Sequence, residues 1–224
     1  MLNENESYVF GLLITDGNLY FAKTRNRGKV SLEVSERDKD IVEKLCSLYP
    51  ESHMRIRTRS TNFSDNYTSY SFVNGMISFR TWLIDSGYPK KDKTILASTP
   101  TIEYSEIDFW RGVIDGDGSL GYTKDNVPFL SLITKSENLK EQYLKFLDSK
   151  MGIKKSIKRN SRDGVYNICI FSEAAMDLSK LLYIYKTPEL YIDRKYRSAE
   201  KIQNWIRTKP ERPWRSSYKT RIIF

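Results

Sequence analysis

Two aspartates, Asp16 and Asp117, stand 101 positions apart, each followed by glycine and each ending an apolar run. The runs are VFGLLITDG over Val9 to Gly17 and WRGVIDGDG over Trp110 to Gly118, and a polar residue and a leucine follow both (Asn18-Leu19 and Ser119-Leu120). If the runs are helices, each carboxylate lies at the negative end of a helix dipole. A second carboxylate about 4 Å away would repel the first by about 4 kcal/mol at an effective dielectric near 20. Something positive must offset that repulsion. A hard divalent cation suits, because Mg²⁺ takes one or two carboxylates and leaves its other positions to water and substrate phosphate, the arrangement that phosphodiester hydrolysis uses. The alternative is that Asp-Gly merely caps a buried helix, which explains one copy more readily than two with matched flanks.

The residues before the aspartates specify how the two runs meet. Gly11 and Thr15 are four apart in the first, Gly112 and Gly116 four apart in the second, so each helix carries a small-residue stripe on one face. Facing stripes let two backbones approach closely. Gly17 and Gly118 are then expected to be left-handed C-caps, and the two carboxylates converge at one end of a helix pair.

This doubled pattern resembles the single-chain, two-repeat LAGLIDADG homing endonucleases. The second copy fits the nine-residue motif well. The first departs at its sixth position, where Ile14 stands in place of the acid that Asp115 supplies in the second, and the usually small second position holds Phe10 and Arg111. The resemblance implies that Asp16 and Asp117 ligate catalytic divalent metal, Mg²⁺ with Mn²⁺ or Ca²⁺ able to substitute for binding. It also implies that a lysine beyond the last helix of each half, Lys93 in KKDKTI and Lys195 in YIDRKY, holds or polarises the attacking water. Asp92 and Asp193 beside them are ion-pair partners or nothing more. It implies further a long asymmetric DNA target cut across the minor groove to leave short 3′ overhangs.

The repeat extends past the motifs. LEVSERDKDIVEKL and LSLITKSENLKEQYL align almost without a gap, as do FVNGMISFRTWLI and IFSEAAMDLSKLL. In the first half strands are expected at 19–23, 29–35, 55–59 and 67–73, with helices at 38–48 and 76–85; Ile41, Val42, Leu45 and Leu48 form the buried face of the former. In the second, strands are expected at 120–124, 129–134, 154–159 and 165–171, with helices at 137–150, introduced by Ser136, and 173–184. The short connections suit antiparallel hairpins. The expected fold class is α+β, two pseudo-symmetric αββαββα repeats packed through the paired motif helices, with antiparallel sheets forming a saddle for DNA. The expected divisions are residues 1–94, a linker 95–105, a second repeat 106–207 and a basic tail 208–224.

A formal net charge of +9 favours a polyanionic partner. Strand alternation sets Arg55, Arg57 and Arg59 against Met54 and Ile56, and Lys29, Ser31, Glu33 and Ser35 against Val30, Leu32 and Val34. In the second half Lys154, Ser156, Lys158 and Asn160 oppose Ile157. For any single strand this is equally an ordinary half-solvated sheet. Across several, basic and hydroxyl faces suit the major groove, where a β-ribbon fits. Tyr20, Lys23, Tyr67, Ser69, Ser71, Thr123, Ser131 and Asn167 complete the candidate DNA-facing set. Arg25, Arg27 and Arg162 sit in hairpin loops, where gripping backbone phosphates and being merely solvated are equal readings. The tail carries Trp214 and Tyr218 among cations and ends in Ile222, Ile223 and Phe224, which favours docking on its own domain over an arm on nucleic acid.

One histidine, His53, and two cysteines, Cys46 and Cys169, exclude His-centred nucleases and zinc sites. His53 reads as a surface or DNA-facing residue and the cysteines as packed, reduced thiols. No Walker loop or dinucleotide fingerprint occurs, and neither does the pattern of an intein. The first residues lack the features of a secretory or transit signal, and no apolar run reaches membrane-spanning length. The expectation is a monomer acting on double-stranded DNA, and its own intron RNA as a further possible partner. Its expected location is the reducing, DNA-containing compartment of its synthesis, whether bacterial or phage-infected cytoplasm or organelle matrix. Two rival readings use the same fold: an intron RNA maturase, for which the tail and Arg111 hint at a second basic surface, and a DNA-binding regulator on a dead nuclease scaffold.

Overall fold

The computed structural model of the chain describes residues 1–22, 27–61, 64–185 and 188–208. Two helices lie at its centre, α1 (Glu4–Asp16) and α5 (Glu106–Asp117). α1 starts on a capping box, in which Asn3 Oδ1 accepts from the Glu6 amide at 2.8 Å and Glu6 Oε2 accepts from the Asn3 amide at 2.9 Å. The helices meet at the small residues. A methyl group on Gly11 would lie 2.2 Å from the Phe109 carbonyl oxygen, and one on Gly112 2.2 Å from that of Tyr8. Thr15 fills the space above Gly116. The backbones therefore touch, as the stripes predict.

Each motif helix runs directly into a strand. β1 (Gly17–Phe21), β2 (Gly28–Ser35), α2 (Lys39–Leu48), β3 (His53–Thr61), β4 (Ser64–Asn74) and α3 (Ile77–Asp85) complete the first half, its antiparallel sheet ordered β1-β2-β4-β3. A short helix, α4 (Lys93–Leu96), follows α3. After α5 come β5 (Gly118–Tyr122), β6 (Pro128–Thr134), α6 (Glu137–Met151), β7 (Tyr166–Phe171), α7 (Ser172–Ser179), a π turn at Lys180–Ile184 and α8 (Asp193–Gln203), with sheet order β5-β6-β7. Helices cover one face of each sheet. Val30, Leu32 and Phe72 are buried with Ile41, Val42 and Leu45 of α2; Leu130, Leu132, Ile168 and Ile170 are buried with Leu139, Tyr143 and Leu147 of α6. This is the α+β class expected.

Several expectations need correction. Gly17 and Gly118 are extended, at φ −70° and −91°, not left-handed. Their glycines serve close approach, since a methyl group on Gly17 would lie 2.5 Å from the Leu13 carbonyl oxygen and one on Gly118 2.6 Å from that of Ile114. No strand forms at 154–159. Adjacent cations there leave only Ile157 to pack, and Lys155 Nζ donates to the Cys169 carbonyl at 2.8 Å, taking an acceptor on the β7 edge that a strand amide would otherwise use. Met54 and Ile56 pair with Phe72 and Tyr70 of the packed side yet are 41% and 56% exposed, because β3 is the edge strand of its sheet. Leu48 at the end of α2 is also exposed. The expected linker, 95–105, is itself packed, a detail the division left open: Ala97 is buried, its carbonyl accepts from Ser136 Oγ at 2.6 Å, and Gln142 of α6 bonds Ser98 and the Thr99 amide. Sequence reading had no place for α8. Its inward face is Lys195, Ala199 and Ile202, and two apolar side chains in a mostly charged segment are too few to announce a buried helix. Among the described residues no helix is long and apolar enough to cross a membrane.

Candidate metal centre and nucleic-acid interface

Asp16 and Asp117 close the C-terminal turns of the paired helices, and the Asp16 carboxyl carbon would lie 3.5 Å from a methyl group placed on Gly116 of the other helix. Both side chains open to solvent at the rim while protein crowds them from beneath. Desolvation raises both carboxyls. In Asp117, desolvation and then the neighbouring charge of Asp16 push the value up to about 6, against the opposing pull of Lys93 and Lys195. Asp16 is raised by desolvation against the pull of Lys195 and Lys93, and a neighbouring pair of partly desolvated carboxyls of this kind suits a cation.

Beneath the acids lie two matching lysine cradles. Lys93 Nζ donates to the carbonyls of Leu13, Thr15 and Gly17. Lys195 Nζ donates to Ile114 and Asp115 at 2.6 Å each, Gly118 at 2.9 Å and Gly116 at 3.4 Å. Leu13, Thr15 and Gly17 correspond to Ile114, Gly116 and Gly118 across the repeat, so both lysines do the same thing: they satisfy the orphan carbonyls of a motif helix and place a cation at its negative end. Burial lowers both ammonium groups below the ordinary lysine value, and the nearby acids oppose this. Lys195 is only 4% exposed. The donors expected to hold a water are thus directed at helix-end carbonyls in this structure.

The cradle of the second half rests on a network that sequence reading missed. Asp115, 2% exposed, accepts from Tyr8 at 2.6 Å, Tyr183 at 2.7 Å and the Ile192 amide at 2.9 Å. It ties α1, the π turn and the start of α8 to α5, and so positions Lys195 three residues further on. Arg111 lies beside it, buried, bonded to Asp108, Leu190 and Leu182. It therefore contributes nothing to an outer basic surface, which removes one of two hints of a maturase; the other, the tail from 209 on, lies outside the described residues. Cross-half ion pairs seat the same helix: Arg194 grips Asp38 at 2.8 and 3.0 Å, and Lys44 bonds Asp193 at 2.6 Å. Asp92 instead takes a left-handed conformation at the start of α4. The only sequence signal for this network was the extra acid at motif position six.

The strand register brings most of the candidate DNA-facing residues of the first half onto one face. Tyr20 pairs with Lys29, Ser71 stands between Glu33 and Arg55, Ser69 between Ser35 and Arg57, and Tyr67 pairs with Arg59, while Ser31 lies on the same side. The arginines are exposed, and Arg59 pairs with Glu33 at 3.1 Å and lies over the Tyr67 ring. His53 is exposed at the start of β3 on this face, and Arg27 is exposed beside β2. Lys23 and Arg25 lie outside the described residues. Ser69 and Ser71 are buried on this face, and Ser131 is buried on β6 of the second sheet. Thr123 Oγ1 accepts from the Val127 amide and closes the β5–β6 turn, and Asn160 Oδ1 accepts from the Arg162 amide. Lys154, Ser156, Lys158 and Asn160 are exposed in an irregular segment and share no sheet face; Arg162, in the following turn, is exposed and pairs with Asp163. Asn167 is exposed on β7, accepting from the Cys169 thiol at 3.0 Å. Both cysteines are free; Cys46 packs on the core, whereas Cys169 points to the outer sheet face.

Residues 105–186 match the family model of the LAGLIDADG-like domain. No curated protein sequence matches the chain. Among solved structures it is similar to the homing endonuclease I-WcaI bound to its DNA recognition sequence, at a TM-score of 0.60 and 15% identity over 86% of this chain and 85% of that one. A mutant of I-SmaMI matches at 0.57 and 12%, covering 90% of each chain. The LAGLIDADG meganuclease I-CpaMI bound to uncleaved DNA matches at 0.54 and 9%, over 91% and 90%. Residues 105–186 form a LAGLIDADG-like domain, and the chain as a whole has the two-repeat fold of the LAGLIDADG homing endonucleases.

Proposed function

We propose that this chain is a site-specific double-strand DNA endonuclease that acts as a monomer with a divalent metal, Mg²⁺ first among candidates, and leaves short 3′ overhangs. The convergence of Asp16 and Asp117 above two equivalent lysine cradles, between two sheets, carries this reading. The donor set fits the metal. Among the described residues no group of three or more His, Cys, Asp or Glu is assembled, which disfavours zinc, whereas Mg²⁺ needs only one or two protein carboxylates. When bound, the metal supplies an activated water and offsets charge on the phosphate and the leaving oxygen. Asp16 and Asp117 hold it. Lys93 and Lys195 keep the helix ends and their carboxylates in place, and lie close enough to add positive potential at the scissile phosphates. The basic face of β1–β4 binds and orients the duplex, and two unlike halves suit an asymmetric target. DNA-bound relatives with the same fold support the choice of partner.

The test is incubation of the purified chain with a randomised duplex library in Mg²⁺, against an EDTA control, with sequencing of the ends. Metal-dependent breaks at one sequence context are expected. Folded protein that enriches no break in any divalent metal would overturn the reading.

A further inference from the structure

The two sheets present outer faces of opposite chemistry. That of the first carries Lys29, Arg55, Arg57 and Arg59. The strands of the second, GSLGY, PFLSLIT and YNICIF, contain no Asp, Glu, Lys or Arg at any position. Their outer face is laid out in rows: Gly121, Phe129 and Phe171; then Ser119, Ser131 and Cys169; then Ile133 and Asn167. Ile133 and Phe171 are 45% and 47% exposed. Exposed cations of this half flank the sheet: Lys154, Lys158 and Arg159 belong to the segment whose Lys155 bonds the Cys169 carbonyl of β7, and Lys135 follows β6.

A charge-free face bordered by lysines matches one particular surface. Phosphates line the edges of the DNA major groove, and the apolar group displayed on its floor is the thymine C5-methyl. An uncharged face lacks the bidentate cation that pairs with guanine, while exposed Asn167 has the amide that pairs with adenine. The face is also continuous with the proposed site, since β5 begins at Gly118, the residue after Asp117. We propose that the outer face of β5–β7 reads thymine methyl groups, so that the half-site beneath the C-terminal repeat is rich in A·T pairs, whereas the arginine face of β1–β4 selects guanines. The proposal rests on the endonuclease reading above and names how its substrate is discriminated.

Its test separates the two. The full chain selects duplexes by binding from a randomised library in Ca²⁺, and Arg57→Ala, which relaxes preference on the guanine side, marks which half lies under which sheet. Fluorescence anisotropy then compares the selected duplex with versions in which the thymines of one half are replaced by deoxyuridine. Loss of affinity of about fourfold per contacted methyl is expected, from the free energy of burying one CH₂ group, and only in the half opposite the arginines. Ile133→Ser with Phe171→Ser, both exposed and so compatible with folding, should abolish the thymine-over-uracil discrimination and keep the guanine preference. Selection of a specific site with no uracil effect, or with G·C pairs under β5–β7, would overturn the proposal and leave the endonuclease reading standing. No selected sequence at all would overturn both.

Discussion

Asp117 is held up to about 6 by desolvation and by the charge of Asp16, and this has opposite consequences for the folded protein with and without metal. Between the ordinary carboxylate range and about 6, the metal-free folded chain keeps a proton that the unfolded chain has released. Stability without metal is therefore highest below this window and falls as pH rises through it. Thermal unfolding in EDTA, wild type minus Asp117→Asn, should show that fall, with the variant the more stable at pH 7.5. Metal must displace the proton, so calorimetric affinity for Mg²⁺ should rise from pH 5 to 7 and then level. The same variant should bind its target and make no double-strand break; persistent cleavage would remove Asp117 from the metal site. The lysines act differently from the acids. Lys195 has four carbonyl partners and is nearly sealed from solvent, whereas Lys93 has three and is half-buried. Lys195→Met should consequently destabilise the fold more than Lys93→Met in urea titrations, because it leaves more buried helix-end carbonyls without a donor.

The helix pair is the element on which the site depends. Gly11 and Gly112 each face a backbone carbonyl of the partner helix at a distance no methyl group tolerates, and backbone cannot swing aside as a side chain can. Gly112→Ala should cost about 3 kcal/mol or more in urea denaturation, at the upper end of overpacking effects. Asp115 supports the same assembly as an acceptor of three bonds. Asp115→Leu leaves three buried donors unpaired and should cost about 3 to 5 kcal/mol, whereas Asp115→Asn keeps one acceptor oxygen, which can serve Tyr8 and the Ile192 amide that share Oδ2, and can donate its amide to the Tyr183 hydroxyl oxygen, so it should cost less. Helix pairing was legible because small residues recur at the same places 101 residues apart, and period-two alternation located every strand that packs on a core. What escaped depends on contacts the pattern does not contain. Gly17 and Gly118 signal glycine, but not whether it is needed for its torsion or for its lack of a side chain. KKSIKRN alternates like a strand, yet only Ile157 packs. The buried face of α8 includes a lysine whose reason for being there, the open carbonyls of α5, lies 80 residues away.

Across the whole molecule, the net charge of +9 is not spread evenly over the surface that faces the proposed duplex. In the first half cations stand on the sheet, where base edges would lie; in the second they stand beside it, where phosphates would lie. Phosphate contacts position a protein and set its salt dependence, and base contacts set its sequence preference. The two halves should therefore respond differently to loss of charge. Replacing Lys154, Lys158 and Arg159 with glutamine should lower the slope of log affinity against log salt by up to about 3, since each phosphate contact contributes about 0.9. Arg159 already bonds the Gly164 carbonyl, so its share should be the smallest. The selected sequence should not change. Arg55→Ala or Arg57→Ala should instead relax preference at particular base pairs with a smaller change in slope, and Arg59→Ala should do less than either, because Glu33 already holds that guanidinium. Binding isotherms at several salt concentrations, paired with selection from a randomised library, measure both quantities on one preparation. If the triple glutamine variant shifts sequence preference while the arginine variants shift only the slope, the division of labour between the halves is the reverse of the one the charge distribution implies.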